Sequence, residues 1–263
     1  MRRLAALLVA GVLCAAPAAA PAQGTQSAGP PRLSLSPATE ILHVKPGQSV
    51  TETLTLDNQT ENTLNFEMSA QDVVAKNGKR VYIPAGEAAN SIAATAVFSQ
   101  RAGSVAPLSY KTIQVRLTVP TETTIRAVTV AFRSKSTVAH SGVVALTASL
   151  GSLITFVLSN AISVQAERAR IHPATASQNL TVAEMLVNDG AEPVVPQGVV
   201  AFVDQSGALG AKATFTSRRL LPGERGEFTA EYAGRLRPGN YRVLSTFQFE
   251  GKTLQSQAEY VAP

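Results

Sequence analysis

Three histidines are the only side chains here that exchange protons near neutral pH unaided: His43 ahead of Lys45-Pro46, His140 in a polar stretch, and His172 ahead of Pro173. A serine or cysteine nucleophile needs such a base beside it and a strained turn that exposes it. No Gly-x-Ser-x-Gly elbow occurs, and Gly151-Ser152 falls inside an apolar run. No two histidines stand at the i, i+2 or i, i+4 spacing of a zinc site. Asp204-x-Ser206-Gly207 has the opening of a calcium loop but not its alternating oxygens or closing acid, so it reads as a β-turn. Gly207-x-x-Gly210-x-Lys212 lacks the spacing of a phosphate loop. Paired carboxylates for glycoside hydrolysis are the one catalytic device that distant strands could assemble unseen, which makes a carbohydrate hydrolase the third-ranked reading. The histidines, Gly and Asp motifs read as turns and surface, and the chain as a non-enzyme with no catalytic residue, metal or cofactor.

The single cysteine, Cys14, lies in an N-terminal segment where Arg2 and Arg3 precede an apolar run from Leu4 to Ala16 and then Ala20-Pro21-Ala22. That is the pattern of a secretory leader, residues 1–22, cut after Ala22. Leu13 and Gly11 do not supply the residues that a lipoprotein site places before its cysteine. No later run approaches the roughly 18 apolar residues that a membrane-spanning helix needs. The expected product is exported, periplasmic or at the cell surface, without a disulfide or a transmembrane segment. The formal charge is +5, and two of the basic residues are Arg2 and Arg3. The remaining basic residues are scattered and not gathered among aromatics, so nucleic acid is not an expected partner.

Residues 23–31, rich in Gly and Pro, read as a flexible lead-in. From Leu33 onward, period-2 segments recur between turn residues such as Lys45-Pro46-Gly47, Asp57-Asn58-Gln59 and Lys76-Asn77-Gly78-Lys79. No long 3.6-residue period appears. The pattern predicts an all-β chain of two tandem immunoglobulin-like antiparallel β-sandwich domains, residues 32–164 and 165–263. Asn90 to Gln100 fits a short helix or a strand, and its β surroundings favour strand. The two units also repeat one another: Asn58-Gln59-Thr60 and Asn188-Asp189-Gly190 each end an alternating segment. In the second unit, Leu221-Pro222-Gly223 and Leu236-Arg237-Pro238-Gly239-Asn240-Tyr241 punctuate consecutive strands, with Tyr241 placed to bond back to the chain at a corner.

One segment exceeds the needs of an ordinary strand. From 143 to 158 the even positions Val144, Leu146, Ala148, Leu150, Ile154, Phe156 and Leu158 are apolar, only Ser152 interrupts them, and odd positions add Val143, Leu153 and Val157. About 16 residues is well beyond the usual five or six. Such a strand is either a buried last strand of the first domain or an edge that pairs with another chain. The candidate partner-binding residues are Val144, Leu146, Leu150, Leu153 and Val157.

These residues carry a family resemblance. Leu35-Ser36-Pro37, Val44-x-Pro46-Gly47, Leu54-x-Leu56-x-Asn58, Val115-x-Leu117-x-Val119-Pro120 and the long apolar strand resemble the first domain of PapD-like periplasmic chaperones and of WxL-interacting surface proteins. Asn188-x-Gly190, Asp204-x-x-Gly207, Leu220-Leu221-Pro222-Gly223 and Leu236-x-Pro238-Gly239-x-Tyr241 are more similar to the second domain of the latter. The PapD-like resemblance implies a chaperone that lends its long strand to an unfinished pilus subunit, whose terminal carboxylate is held by an Arg and a Lys. Those two positions fall near Pro37 and near Ser152 to Thr155 here, and neither is basic. The WxL-interacting resemblance implies a wall- or surface-binding adhesion module with peptidoglycan among its partners. The expected function is therefore non-enzymatic: an exported envelope protein that binds an envelope or surface protein, such as a pilus-like subunit, by β-strand pairing.

Overall fold

The structure, a computed structural model, describes residues 33–135 and 148–263. The expected leader and lead-in, His140, Val143, Val144 and Leu146 lie outside the described residues. The described chain is all-β apart from one 3-10 turn, and its strands form two immunoglobulin-like sandwiches of two sheets each.

In the first sandwich, one sheet runs β1 (Leu33–Ser36), β3 (Ser49–Asn58), β8 (Ser109–Thr118), β6 (Val97–Phe98). The facing sheet runs β2 (Thr39–His43), β10 (Ser149–Val157), β9 (Ala127–Lys135), β4 (Leu64–Lys76), with β5 (Lys79–Pro84) and β7 (Ala102–Val105) sharing the far side of β4. Alternation drives the assembly: Leu54, Leu56, Ile113, Val115 and Leu117 turn one way, and Phe66, Phe132 and Phe156 meet them from the other sheet, all essentially fully buried. Each such side chain contributes about 1.5–3 kcal/mol on leaving water. Asn90 to Gln100, expected as strand, instead makes a 3-10 turn at Ala93–Thr95 followed by the two residues of β6. The reason is a buried carboxylate, since Asp72 accepts the Ser91 hydroxyl and the Ala93 amide and pulls that backbone into a turn.

The second sandwich sets β13 (Leu180–Asn188) between β16 (Arg225–Tyr232) on one side and two short strands, β11 (Val164–Ala166) and β12 (Arg170–His172), on the other. Its second sheet runs β15 (Leu209–Thr214), β14 (Gln197–Asp204), β17 (Gly239–Phe249), β18 (Lys252–Ala262). Phe215 and Phe247 stack at 4.7 Å in this core, and a Cβ on Gly198 would sit 2.3 Å from the Phe247 ring, so glycine is required there. The Tyr241 hydroxyl donates to the Arg237 carbonyl at 3.0 Å and closes the predicted corner.

The sequence repeat is a structural one. Asn58 and Asn188 are both fully buried at the ends of corresponding strands. Each donates Nδ2 to the carbonyl four residues on, Asn62 or Glu192, and to a carbonyl from a later loop, Ala106 or Leu220. A short amide side chain thus satisfies backbone groups that the end of the ladder leaves unpaired.

Candidate functional site

β10 is held differently along its length. The Ser134 amide donates to the Ala148 carbonyl, and the Phe156 amide to the Arg126 carbonyl, so the even residues of β10 bond toward β9. The odd residues bond to the other side: the Leu153 amide donates to Ala38, and the Val44 amide donates to the Val157 carbonyl. On that side β2 lies parallel to β10 only from Leu153, opposite Thr39, to Val157, opposite His43. By the alternation of a strand, the N–H and C=O of Ser149 and Gly151 point the same way, and among the described residues no strand lies against them.

The side chains divide similarly. Leu150 is half-buried and packs against the core of the first sandwich, as Ile154 and Phe156 do more deeply. Ser152 faces that core fully buried, with no partner for its hydroxyl. Leu153 turns outward but is covered by the second sandwich, packing with Val73, Ala127 and Leu221. Val157 is buried too. Of the sequence-predicted partner residues that are described, Leu153 and Val157 are thus occupied by the protein's own packing, and Leu150 lies beside the open edge.

Leu221, from the Pro-Gly turn before β16, is the apolar centre of a joint between the sandwiches, and two buried carboxylates flank it. Glu192 accepts the Arg126 Nε at 3.1 Å, the Leu158 amide at 3.0 Å and the Ser159 hydroxyl at 2.7 Å. Glu224 accepts Arg80 Nε at 2.9 Å, Arg218 Nη2 at 2.8 Å and the Leu221 amide at 2.9 Å. Backbone contact adds to this, since the Arg225 amide donates to the Gly78 carbonyl. Gly78 has a φ of +76°, and a Cβ there would meet the Arg225 side chain at 2.8 Å. No pattern in the sequence pairs these charges, because Arg80 and Glu224 are 144 residues apart and no spacing rule connects them.

His43 and His172 are exposed. Among the described residues no group of three His, Cys, Asp or Glu side chains is placed to hold a metal, and no helix is long and apolar enough to cross a membrane. Asp204 closes its own turn: the Ser206 hydroxyl, then the Ala208 amide, hold its carboxyl below the usual carboxylate range. The positions near Pro37 and Ser152 to Thr155, where the chaperone resemblance calls for Arg and Lys, hold Thr155 bonded to the Glu40 carbonyl and the orphan Ser152.

No family model matches the sequence, and no curated protein does. Similar solved structures include the class 5 fimbriae chaperone CfaA, at 13% identity and a TM-score of 0.44 over 88% of this chain and 99% of that one. The E. coli chaperone DraB matches at 14% and 0.42 over 87% and 98%. The Salmonella enterica SafA pilin complex with the SafB chaperone matches at 11% and 0.43 over 88% and 96%. Likeness at this level identifies no shared site, and the fold described above stands on this chain's own strand pairing.

Proposed function

We propose that the protein is exported, does no chemistry, and binds another envelope protein by accepting or lending a strand at the open edge of β10, as an assembly chaperone for surface or pilus-like subunits would. The observation that carries this is the pair of outward-facing backbone units at Ser149 and Gly151, unpaired among the described residues, in a strand whose other half is already braced by β2. Main-chain bonds at such an edge supply affinity, and apolar side chains beside it supply selectivity. Leu150 is the described member of that set. The two domains, 32–164 and 165–263, then divide the work: the first carries the edge, and the second covers the back of the same sheet through Leu221.

A labelled extended peptide with alternating Val and Thr tests the edge. It should bind the purified protein and slow hydrogen exchange at the Ser149 and Gly151 amides. Ser149→Pro removes an outward donor while leaving the β9 ladder intact, and should weaken binding about tenfold or more, a loss of about 1.4 kcal/mol. Unchanged peptide affinity in a folded Ser149→Pro protein would overturn the reading. Co-sedimentation with purified peptidoglycan and no peptide binding would favour the wall-binding module instead.

A further inference from the structure

Arg219 stands in the joint on a backbone fixed from both sides. Its carbonyl accepts Nη2 of Arg80 at 2.5 Å. The next residue, Leu220, exchanges both backbone hydrogen bonds with Val194, and Leu221 is locked against Val73 and Ala127. The guanidinium on this backbone is nevertheless unpaired. Its Nε and Nη1 are buried and have no hydrogen-bond partner. Buried Arg donors are normally spent on carboxylates or carbonyls, because leaving them unmade costs the desolvation without the bond.

The local acids do not meet this need. The Glu224 carboxylate is already taken by Arg80, Arg218 and the Leu221 amide. Glu40 acts on Arg219 through its charge but forms no ion pair with it. Two guanidinium groups therefore share the Glu224 carboxylate, and the third, that of Arg219, is bonded to none. Burial first, and then the neighbouring Arg80 charge, lower the Arg219 pKa from the usual guanidinium range. A guanidinium does not shed its proton in a protein, so the unbalanced charge persists until an anion offsets it.

We propose that Arg219, with Arg80 beside it, forms an oxyanion site at the joint between the two sandwiches, receiving a carboxylate or phosphate group. Nη2 is the nitrogen not shut away from the surface. It shares one edge of the planar head with Nε, so an oxyanion arriving at Nη2 meets the unpartnered Nε–H next to it, the geometry in which Arg holds two oxygens at once. The site is separate from the strand edge at Ser149 and does not depend on it.

The test uses the ¹⁵N-labelled purified protein and follows the Arg219 Nε–H signal during titration with sodium phosphate or sodium acetate, against sodium chloride at equal ionic strength. A saturable shift with a dissociation constant in the millimolar range is expected for at least one of the two oxyanions. A response to phosphate alone assigns a phosphoryl ligand, and a response to acetate assigns a carboxylate. The accompanying rise in Tm should disappear in Arg219→Gln and survive in Arg242→Gln, a change at an exposed arginine of β17. The proposal fails if neither oxyanion does more than chloride, or if Arg219→Gln keeps the Tm response. Peptide binding at β10 should be the same in Arg219→Gln and wild type, which separates the two readings.

Discussion

The two halves of β10 share one apolar alternation and meet opposite surroundings. From Leu153 to Val157 the strand has β9 on one side, β2 on the other and the second sandwich across its back. From Ser149 to Ser152 it has β9 alone among the described strands. In the first stretch Ile154 and Phe156 fill the core, and Leu153 lies under Leu221 at the joint. Leu150, the apolar residue of the second stretch, has only the core of its own sandwich and lies beside the open backbone edge. A run of alternating apolar residues thus records which faces are covered but not by what, and the function argued above depends on telling the two halves apart.

If the downstream half is a structural joint, its charges should weigh most in stability. Glu192 is fully buried and accepts from an arginine, an amide and a hydroxyl, and its loss leaves the largely buried Arg126 without its counter-charge, so Glu192→Ala should lower unfolding free energy in urea by about 3–4 kcal/mol. Leu221→Ala comes next. It empties the apolar centre of the joint without exposing a charge and should cost about 2–3 kcal/mol, with peptide binding at the β10 edge unchanged. Loss of peptide binding in either folded variant would break the division between the two halves.

At the boundary between the halves stands Ser152, and here the expected sign reverses. Its hydroxyl is buried facing the core without a partner, so Ser152→Ala deletes an unsatisfied group and should stabilise by up to about 1 kcal/mol. A destabilisation of that size would mean that the hydroxyl has a partner at the strand-switch point, and would assign Ser152 to the braced half.

The strands that build the two cores were legible because their signal is local. Leu54, Ile113, Val182 and Val243 declare a buried face through period-2 spacing, and Pro222-Gly223 and Asp204-x-x-Gly207 declare turns through backbone chemistry. The short strands β7, β11 and β12 were not read, since three or four residues give alternation no room to show. The open edge was legible only as an excess of length around Leu150. The joint was not legible at all: Arg126, Glu192, Arg80 and Glu224 look like solvated surface charges until the fold brings them together.

The smallest effect concerns the brace itself. Glu40 in β2 lies opposite Ile154 of β10, and Glu52 of β3 is close enough to feel its charge. Partial burial first, and then Glu40, raise the Glu52 carboxyl above its usual 4.5. Because the folded state holds this proton more tightly than the unfolded chain, the contribution is fully present below pH 4.5 and is lost as pH rises through the higher folded value. At neutral pH the folded protein carries the whole penalty. Glu52→Gln should therefore raise Tm slightly at pH 7, and the gain should shrink as pH falls below 4.5, where the carboxyl becomes protonated in both states. Since the repulsion acts on the strand that braces the downstream half, hydrogen exchange at Leu153 and Thr155 should slow in the variant at pH 7, while Gly151 stays as it was. A slowing at Gly151 of the same size would show that β2 and the open edge move as one element.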